Sequence, residues 1–224
     1  MHYKNLYLIG TSHIAIQSIN EVKSTILKFN PNVIALELDL LRFKSLLSTK
    51  KSKLRLKDVG KFGVKGFLFN LIGAYIEKRL GKLVGIKPGS EMRTAINIAK
   101  ENNIQVALID QDITITLKNL NERISGKEKM RFIIDIIKGM FIKKTIKIDL
   151  TKVPSKTMIN KLTNMVKKRY PSLYKVLIED RDIYMAKALY KIMNTYPNDN
   201  IVAIVGAGHV DGILKNIKKF EDES

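Results

Sequence analysis

The chain has 224 residues, of which 45% are hydrophobic, and this is enough for one sizeable domain with a buried core. The absence of cysteine excludes a disulfide framework, a thiolate zinc site and a cysteine nucleophile. The net charge of +19 is compatible with nucleic acid, an anionic membrane surface or an acidic partner, but a lysine-rich composition alone also explains it.

Strand-like and helix-like segments alternate along the chain. Runs of β-branched or large apolar residues predict strands at Leu6–Ile9, Val33–Leu38, Ile104–Ile109 and Ile201–Val205. Helical patterns follow at Ile14–Phe29, Ser90–Asn102, Pro171–Tyr196 and His209–Phe220, with Ser90 as the expected N-cap of the second. This alternation predicts an α/β fold with a central, mostly parallel sheet flanked by helices.

Two basic segments interrupt this frame. Residues 42–87 hold 13 basic and two acidic side chains, and residues 138–175 hold 11 and one. We interpret the regions at about 42–87 and 127–170 as helical insertions in a single domain spanning 1–224. The chain start reads as a strand and the longest nearly apolar run, Gly66–Ile76, is too short for a membrane span. We therefore expect a cytoplasmic protein without signal peptide or membrane span, with peripheral membrane binding as an alternative.

Two histidines occur in the same local pattern. Gly10-Thr-Ser-His13 and Gly206-Ala-Gly-His209 each follow a predicted strand and precede a predicted helix. In open α/β sheets, ligands bind at the carboxyl ends of the strands, where these histidines would lie. Either motif alone is also typical of a turn histidine next to a helix. Because the motif occurs twice, we predict that His13 and His209 share one site.

Acidic residues follow the other two predicted strands. Glu37 comes after an apolar run, and a buried carboxylate is costly unless it is paired, hydrogen-bonded or bound to metal. The structural alternatives are an ion pair, for instance with Arg42, or a strand that ends before Glu37. Asp110 and Asp112 follow the third strand, where Asp112 is also a suitable N-cap. If all four strands are parallel, these groups converge on one edge.

Two helical positions are further candidates. Glu91 lies at the start of a predicted helix, where a glutamate commonly interacts with the helix dipole. The run Glu179-Asp-Arg-Asp182 lies in the long helix, and its alternative interpretation is a solvated face with local ion pairs. Two histidines and several carboxylates could hold zinc, manganese or cobalt with a water in an open position.

The sequence resembles the TraB/PrgY family, named for pheromone shutdown proteins and related to the Tiki membrane proteases. The matching stretches are Leu8-Ile-Gly-Thr-Ser-His13, Val33-Ile-Ala-Leu-Glu-Leu-Asp39, Pro88-Gly-Ser-Glu-Met-Arg-Thr-Ala95, Ala107-Leu-Ile-Asp-Gln-Asp-Ile113, Glu179-Asp-Arg-Asp-Ile-Tyr-Met-Ala186 and Val202-Ala-Ile-Val-Gly-Ala-Gly-His-Val210. The family often has Asp-Arg-Asp after the third strand, where this chain has Gln111 in the middle.

The resemblance implies an α/β core like that of erythromycin-esterase and ChaN-type heme-uptake relatives, and a metal-dependent peptidase activity. It places the two family histidines on His13 and His209 and the acidic positions on Glu37 and Glu91. The charged helix motif falls on Glu179, Arg181 and Asp182.

We therefore hypothesise a metal-dependent hydrolase that acts on peptides. His13, Glu37 and His209 would hold or flank the metal, Glu91 would be a further ligand or the general base, and Arg181 would stabilise the oxyanion. Asp110, Asp112 and Glu179 are the predicted substrate-binding residues.

The alternative hypothesis is a non-catalytic protein that binds peptides or coats a membrane surface. In either case the predicted partners are a peptide, an anionic membrane surface and a second copy of the chain that pairs through the amphipathic insertions. We do not expect nucleic-acid binding, because few aromatics accompany the lysines and no reader motif occurs.

Overall fold

The computed structural model describes residues 1–12, 16–48, 89–141 and 155–223. Five strands in this part of the chain form one sheet: β1 (His2–Tyr3), β2 (Leu6–Thr11), β3 (Val33–Leu36), β4 (Gln105–Leu108) and β5 (Ile201–Gly206). Their order is β1-β2-β5-β3-β4, and only the β1–β2 pair is antiparallel. The four predicted strands and their parallel pairing are confirmed, whereas the short edge strand β1 was not predicted.

Helices alternate with the strands. They are α1 (Ile16–Phe29), α2 (Leu40–Leu47), α3 (Ser90–Glu101), α4 (Ile113–Arg123), α5 (Gly126–Phe141), α6 (Lys156–Arg169), α7 (Pro171–Tyr174), α8 (Asp180–Thr195) and α9 (Val210–Asp222). The predicted helix Pro171–Tyr196 is interrupted by a π-helical turn, Lys175–Glu179, which joins α7 to α8. The prediction of Ser90 as N-cap was wrong, because Gly89 occupies that position with φ 77° and Ser90 is already helical.

The central strand β5 shows how the layers are built. Ile201, Ala203 and Val205 point to one face of the sheet, where they pack with apolar residues of α8 and α9. Val202 and Ile204 point to the other face, where they pack with α1 and α3. Because helices cover both faces, a continuous apolar run is stable in this strand. The sheet is therefore the middle layer of an α/β/α arrangement.

The parallel strands end at a common edge. Leu36 of β3 is paired with Ile204 of β5 and with Leu108 of β4, and Thr11 of β2 is paired with Gly206 of β5. The residues that follow these strands, including Glu37 and His209, therefore gather at the carboxyl edge of the sheet. This is the edge at which ligands bind in open α/β sheets.

The described residues in the region of the second basic insertion form α5 and α6. Arg169 of α6 joins them by donating two hydrogen bonds of 2.5 Å to Asp135 of α5. Most of the first insertion, residues 49–87, lies outside the described residues, and the single domain with two insertions stays a prediction. No helix in the described ranges has the length and apolar character needed to span a membrane.

Candidate functional site

Glu37 lies immediately after β3 and is buried, with 2% of its surface exposed. One carboxylate oxygen accepts a hydrogen bond from Arg181 Nη2, and the other accepts a 2.5 Å bond from the Gly206 N–H at the end of β5. Among the described residues, the arginine that pairs with this buried carboxylate is therefore Arg181 from α8. The suggested pairing of Glu37 with Arg42 was wrong.

Arg181 uses all five of its N–H groups inside the protein. Nε and Nη2 donate to the two oxygens of Asp110 at 3.0 and 2.8 Å, and Nη2 also donates to Glu37. Nη1 donates to the Leu177 carbonyl and to His209 Nε2, both at 3.2 Å. Burial acts to lower the pKa of Arg181, but the charges of Glu37 and Asp110 outweigh it and the pKa is raised. In this arrangement the guanidinium has no donor left for a substrate.

His209 is held between Arg181 and Asp182 just before α9 begins. Its Nδ1 lies 2.6 Å from Asp182 Oδ1, and its Nε2 lies 3.6 Å from Glu37 Oε1. A guanidinium can only donate, so Nε2 accepts the bond from Arg181 and the ring hydrogen resides on Nδ1. Asp182 accepts that hydrogen, which fixes both the tautomer and the orientation of a neutral ring.

Asp182 is a site residue to which sequence analysis gave no role. It is buried, and burial raises the pKa of its carboxyl group while the hydrogen bond with His209 opposes that rise. A Cβ atom at Gly212 would lie only 1.9 Å from Asp182 Oδ2, so this glycine allows α9 to approach the carboxylate. The sequence feature that could have indicated a role for Asp182 is the charged pair Arg181-Asp182 in a helix with many apolar positions.

A cavity of about 420 Å³ opens beside this cluster. Glu37, Arg181 and His209 line it together with Arg42 of α2. Ile159 of α6 also lines it. The cavity therefore lies at the carboxyl edge of the sheet and is partly bounded by the second basic insertion.

Asp110 links the two arginines of the cavity. Besides the two bonds from Arg181, its Oδ2 accepts a 3.1 Å bond from Arg42 Nη1. The side chain of Asp110 is 3% exposed, that of Arg181 14% and that of Arg42 39%. Asp110, predicted to bind substrate, is thus engaged by two protein cations, and Arg42 is the more exposed of the two.

The other predicted site residues lie elsewhere. Asp112 is the exposed N-cap of α4, where its hydrogen bonds with Thr114 lower its pKa. Glu179 lies on the surface and pairs with Lys167 at 2.9 Å. Glu91 is buried, at 1% exposure, in the first turn of α3 and is not among the described residues that line the cavity.

The prediction that His13 and His209 share one site stays a prediction, because His13 lies outside the described residues. Of the predicted set, the structure brings together Glu37, Asp110, Arg181 and His209 and adds Asp182. Within the described ranges, no group of three or more His, Cys, Asp or Glu side chains is placed to hold a metal ion. The predicted metal site therefore stays a prediction.

Together, the fold and this cluster define an α/β protein with a buried charged site at the carboxyl edge of a parallel sheet. The model of the TraB/PrgY/gumN family matches residues 2–223, and the chain belongs to this family. The resemblance stated from the motifs is confirmed.

Three proteins illustrate the similarity. An uncharacterized protein of Methanocaldococcus jannaschii is 39% identical over 97% of this chain and 54% of its own length. A human TraB domain-containing protein is 26% identical over 94% of this chain and 62% of its own length. The chain thus spans little more than half the length of these relatives. A Campylobacter jejuni ChaN structure, described as binding cofacial heme, matches 97% of this chain and 77% of its own at 15% identity, with a TM-score of 0.43.

Proposed function

We propose that this chain is a metal-dependent hydrolase of peptide bonds with His209 at the centre of its site. The observation that supports this most is that Asp182 contacts His209, which in turn lines the cavity. The buried carboxylate holds Nδ1 at 2.6 Å, which leaves Nε2 on the side of Glu37 and the cavity. A carboxylate behind a histidine is the usual support both of metal-ligating histidines and of histidine bases.

In this proposal His209 Nε2 and Glu37 Oε1 are two ligands of one divalent ion. Ligand bonds of about 2.0–2.2 Å place two ligand atoms about 3.0–3.5 Å apart, slightly closer than the 3.6 Å that now separates these two atoms. His13 is the third predicted ligand. Arg181 lies against both atoms, so ion binding requires its Nη1 and Nη2 bonds to open. A bound ion would polarise the peptide carbonyl and lower the pKa of a water.

The protein side chains contribute orientation. Asp182 holds the ring hydrogen of His209 on Nδ1, so the lone pair of Nε2 is free to bind the ion once the bond from Arg181 has opened. Before an ion binds, Arg181 fixes Glu37 and Asp110 relative to the histidine through its bonds to all three. We therefore assign Arg181 a positioning role before ion binding, and the oxyanion contact expected from the sequence stays a prediction.

A second candidate is a non-catalytic protein that binds peptides or a membrane surface. The observation that favours it is the saturation of the cluster, in which both Glu37 oxygens and all five Arg181 N–H groups have protein partners. Such a cluster could serve to stabilise the sheet edge alone.

Metal analysis and cleavage assays separate the two candidates. Purified protein is assayed on a mixed peptide library as isolated, after chelation, and after addition of manganese, cobalt or zinc. The proposal expects cleavage that chelation abolishes and one of these ions restores. Cleavage that is unaffected by chelation would contradict metal dependence, and absence of cleavage under all conditions would favour the non-catalytic candidate.

A further inference from the structure

The two arginines of the cavity differ in how their donors are used. All five N–H groups of Arg181 donate to protein atoms. The Arg42 guanidinium donates one hydrogen bond within the described part of the chain, from Nη1 to Asp110 Oδ2 at 3.1 Å. The side chain of Arg42 is also 39% exposed, against 14% for Arg181. Of these two cations, Arg42 is therefore the one with donors available to a ligand.

The remaining donors of Arg42 suit a planar anion. Because the bond to Asp110 uses only Nη1, the N–H groups of Nε and Nη2 can donate side by side. Such a pair matches the two oxygens of a carboxylate and forms two parallel charge-assisted bonds. A peptide carbonyl offers a single oxygen and would use this pair less fully.

Arg42 is also held in place before any ligand arrives. It lies in the first turn of α2, where its backbone N–H donates to the Asp39 cap at 2.9 Å. Its guanidinium is tied to Asp110, which Arg181 fixes in turn by two bonds. A side chain held at both ends loses little freedom when it binds a ligand, which favours affinity.

From these contacts we infer that Arg42 binds a carboxylate of the substrate in the cavity beside His209. The inference rests on the proposed peptide hydrolase, whose substrates carry carboxylates at the C-terminus or on Asp and Glu side chains. It assigns Arg42, a residue that sequence analysis considered only as an ion-pair partner, a role in substrate specificity. Substrates with a carboxylate near the scissile bond are then preferred over neutral ones.

The test compares defined peptides in a binding measurement with the full chain. The probes are N-acetyl-Ala-Ala with a free carboxylate, its C-terminal amide, and N-acetyl-Ala-Glu amide, titrated calorimetrically. About 0.3 M salt screens the general attraction of a basic protein for anions. Tighter binding of the first probe identifies a terminal carboxylate, and tighter binding of the third identifies a side-chain carboxylate.

The wild type is expected to bind one carboxylate probe about tenfold or more tightly than the neutral amide, the range for a charged hydrogen-bonded pair. Arg42→Gln should remove this preference and Arg42→Lys should retain part of it. Arg123→Gln is the matched control, because Arg123 forms a surface ion pair with Asp180 away from the cavity lining. Thermal unfolding checks that each variant is folded.

Equal preference in Arg42→Gln and Arg123→Gln, or no preference in the wild type, would overturn the assignment. Binding is measured after chelation of metal ions and therefore without turnover, so this outcome is distinguishable from failure of the hydrolase proposal. A protein that cleaves peptides without carboxylate preference would refute only the role of Arg42. A protein that binds carboxylates through Arg42 without cleaving peptides would refute only the hydrolase.

Discussion

At the scale of single residues, the main feature of the site is the pairing of Arg181 with two buried carboxylates, Glu37 and Asp110. Glu37 and Asp110 are both nearly inaccessible to water, and their charges would be costly without a cation. A lysine could not replace this arginine, because an ammonium has three donors and lacks the planar fork that reaches four residues at once. The cluster is therefore sensitive to the loss of any one member.

Glu37→Gln tests the importance of the ion pair for stability. The amide keeps the shape but leaves the Arg181 charge with Asp110 as its remaining carboxylate partner. We expect the variant to fold with a free energy of unfolding about 1–3 kcal/mol lower than the wild type at pH 7. Denaturant unfolding measures this difference. An unchanged or increased free energy of unfolding would mean that burial of the Glu37 charge destabilises the fold at least as much as its pairing with Arg181 stabilises it.

Gly212→Ala tests the packing behind His209. A new Cβ would lie 1.9 Å from Asp182 Oδ2, so either the carboxylate or α9 has to move. We expect a loss of about 1–3 kcal/mol, the usual cost of overpacking, together with a change in the His209 ring signals in NMR spectra.

Gly126→Ala is the matched control, because no atom lies within 4 Å of its added Cβ. This glycine begins α5, and alanine there should leave the stability unchanged or raise it by less than about 1 kcal/mol. Similar losses in both variants would show that the approach of α9 to Asp182 is looser than the structure indicates.

At the scale of elements, the local pattern predicted much of the fold. The central strands β3 and β5 are apolar runs that are buried on both faces, so their composition alone marks them, as in Ile201–Gly206. The polar residues after Val33–Leu36 and Gln105–Leu108 were correctly placed at one edge, because parallel strands share their direction.

The partners within the site could not be predicted in the same way. Glu37 and Arg181 are 144 positions apart, and the nearer Arg42 was an equally suitable partner on local grounds. The π-helical turn before α8 has no marker in its sequence, Lys-Val-Leu-Ile-Glu, which suits an ordinary helix. The proximity of Gly212 to Asp182 depends on how two helices pack, which no local pattern records.

Glu128, near the start of α5, is expected to make the stability of the fold depend on pH. Glu128 is buried and accepts a 2.9 Å bond from the Ser172 N–H at the start of α7, and it forms a capping box with Ser125. Burial acts to raise its pKa, but the hydrogen bonds from Ser172 and Ser125 outweigh it and the pKa is lowered. The stability from this group is thus present above the unfolded-state pKa of about 4.3 and is lost as pH falls through the lower folded-state value.

Glu128→Gln should therefore lower the free energy of unfolding by about 1 kcal/mol at pH 7, and the difference from wild type should shrink below about pH 4. Glu122→Gln, which changes an exposed glutamate on α4, is the control and should have little effect at either pH. Denaturant unfolding at several pH values gives the comparison. A difference that persists unchanged at pH 3 would show that the charge of Glu128 is not responsible.

At the scale of the whole molecule, the basic residues raise the question of a membrane surface. In α6, Lys161 and Lys168 are exposed and seven positions apart, so they lie on one face of the helix. If the basic insertions bind anionic lipid, vesicle binding should weaken about tenfold or more between 0.05 and 0.3 M salt. Replacing both lysines by glutamate should weaken binding at low salt.

The matched control replaces Lys23 and Lys28, two exposed lysines of α1 that lie outside the basic segments, by glutamate. The four substitutions change the net charge equally in the two double variants. Equal losses of vesicle binding would indicate that total charge alone matters. Binding that does not depend on salt would favour a lysine-rich composition as the explanation of the high net charge. Light scattering on the same samples tests the predicted homodimer.

The proposed peptide hydrolysis at the carboxyl edge of the sheet depends on His209, which Asp182 orients. The most direct measurement is the cleavage of a mixed peptide library, followed by mass spectrometry, with wild type and His209→Asn at equal concentrations of folded protein and with added manganese, cobalt or zinc. We expect new peptide termini that accumulate with time in the wild type and are absent with His209→Asn. Equal cleavage by both proteins, or none by the wild type, would contradict it.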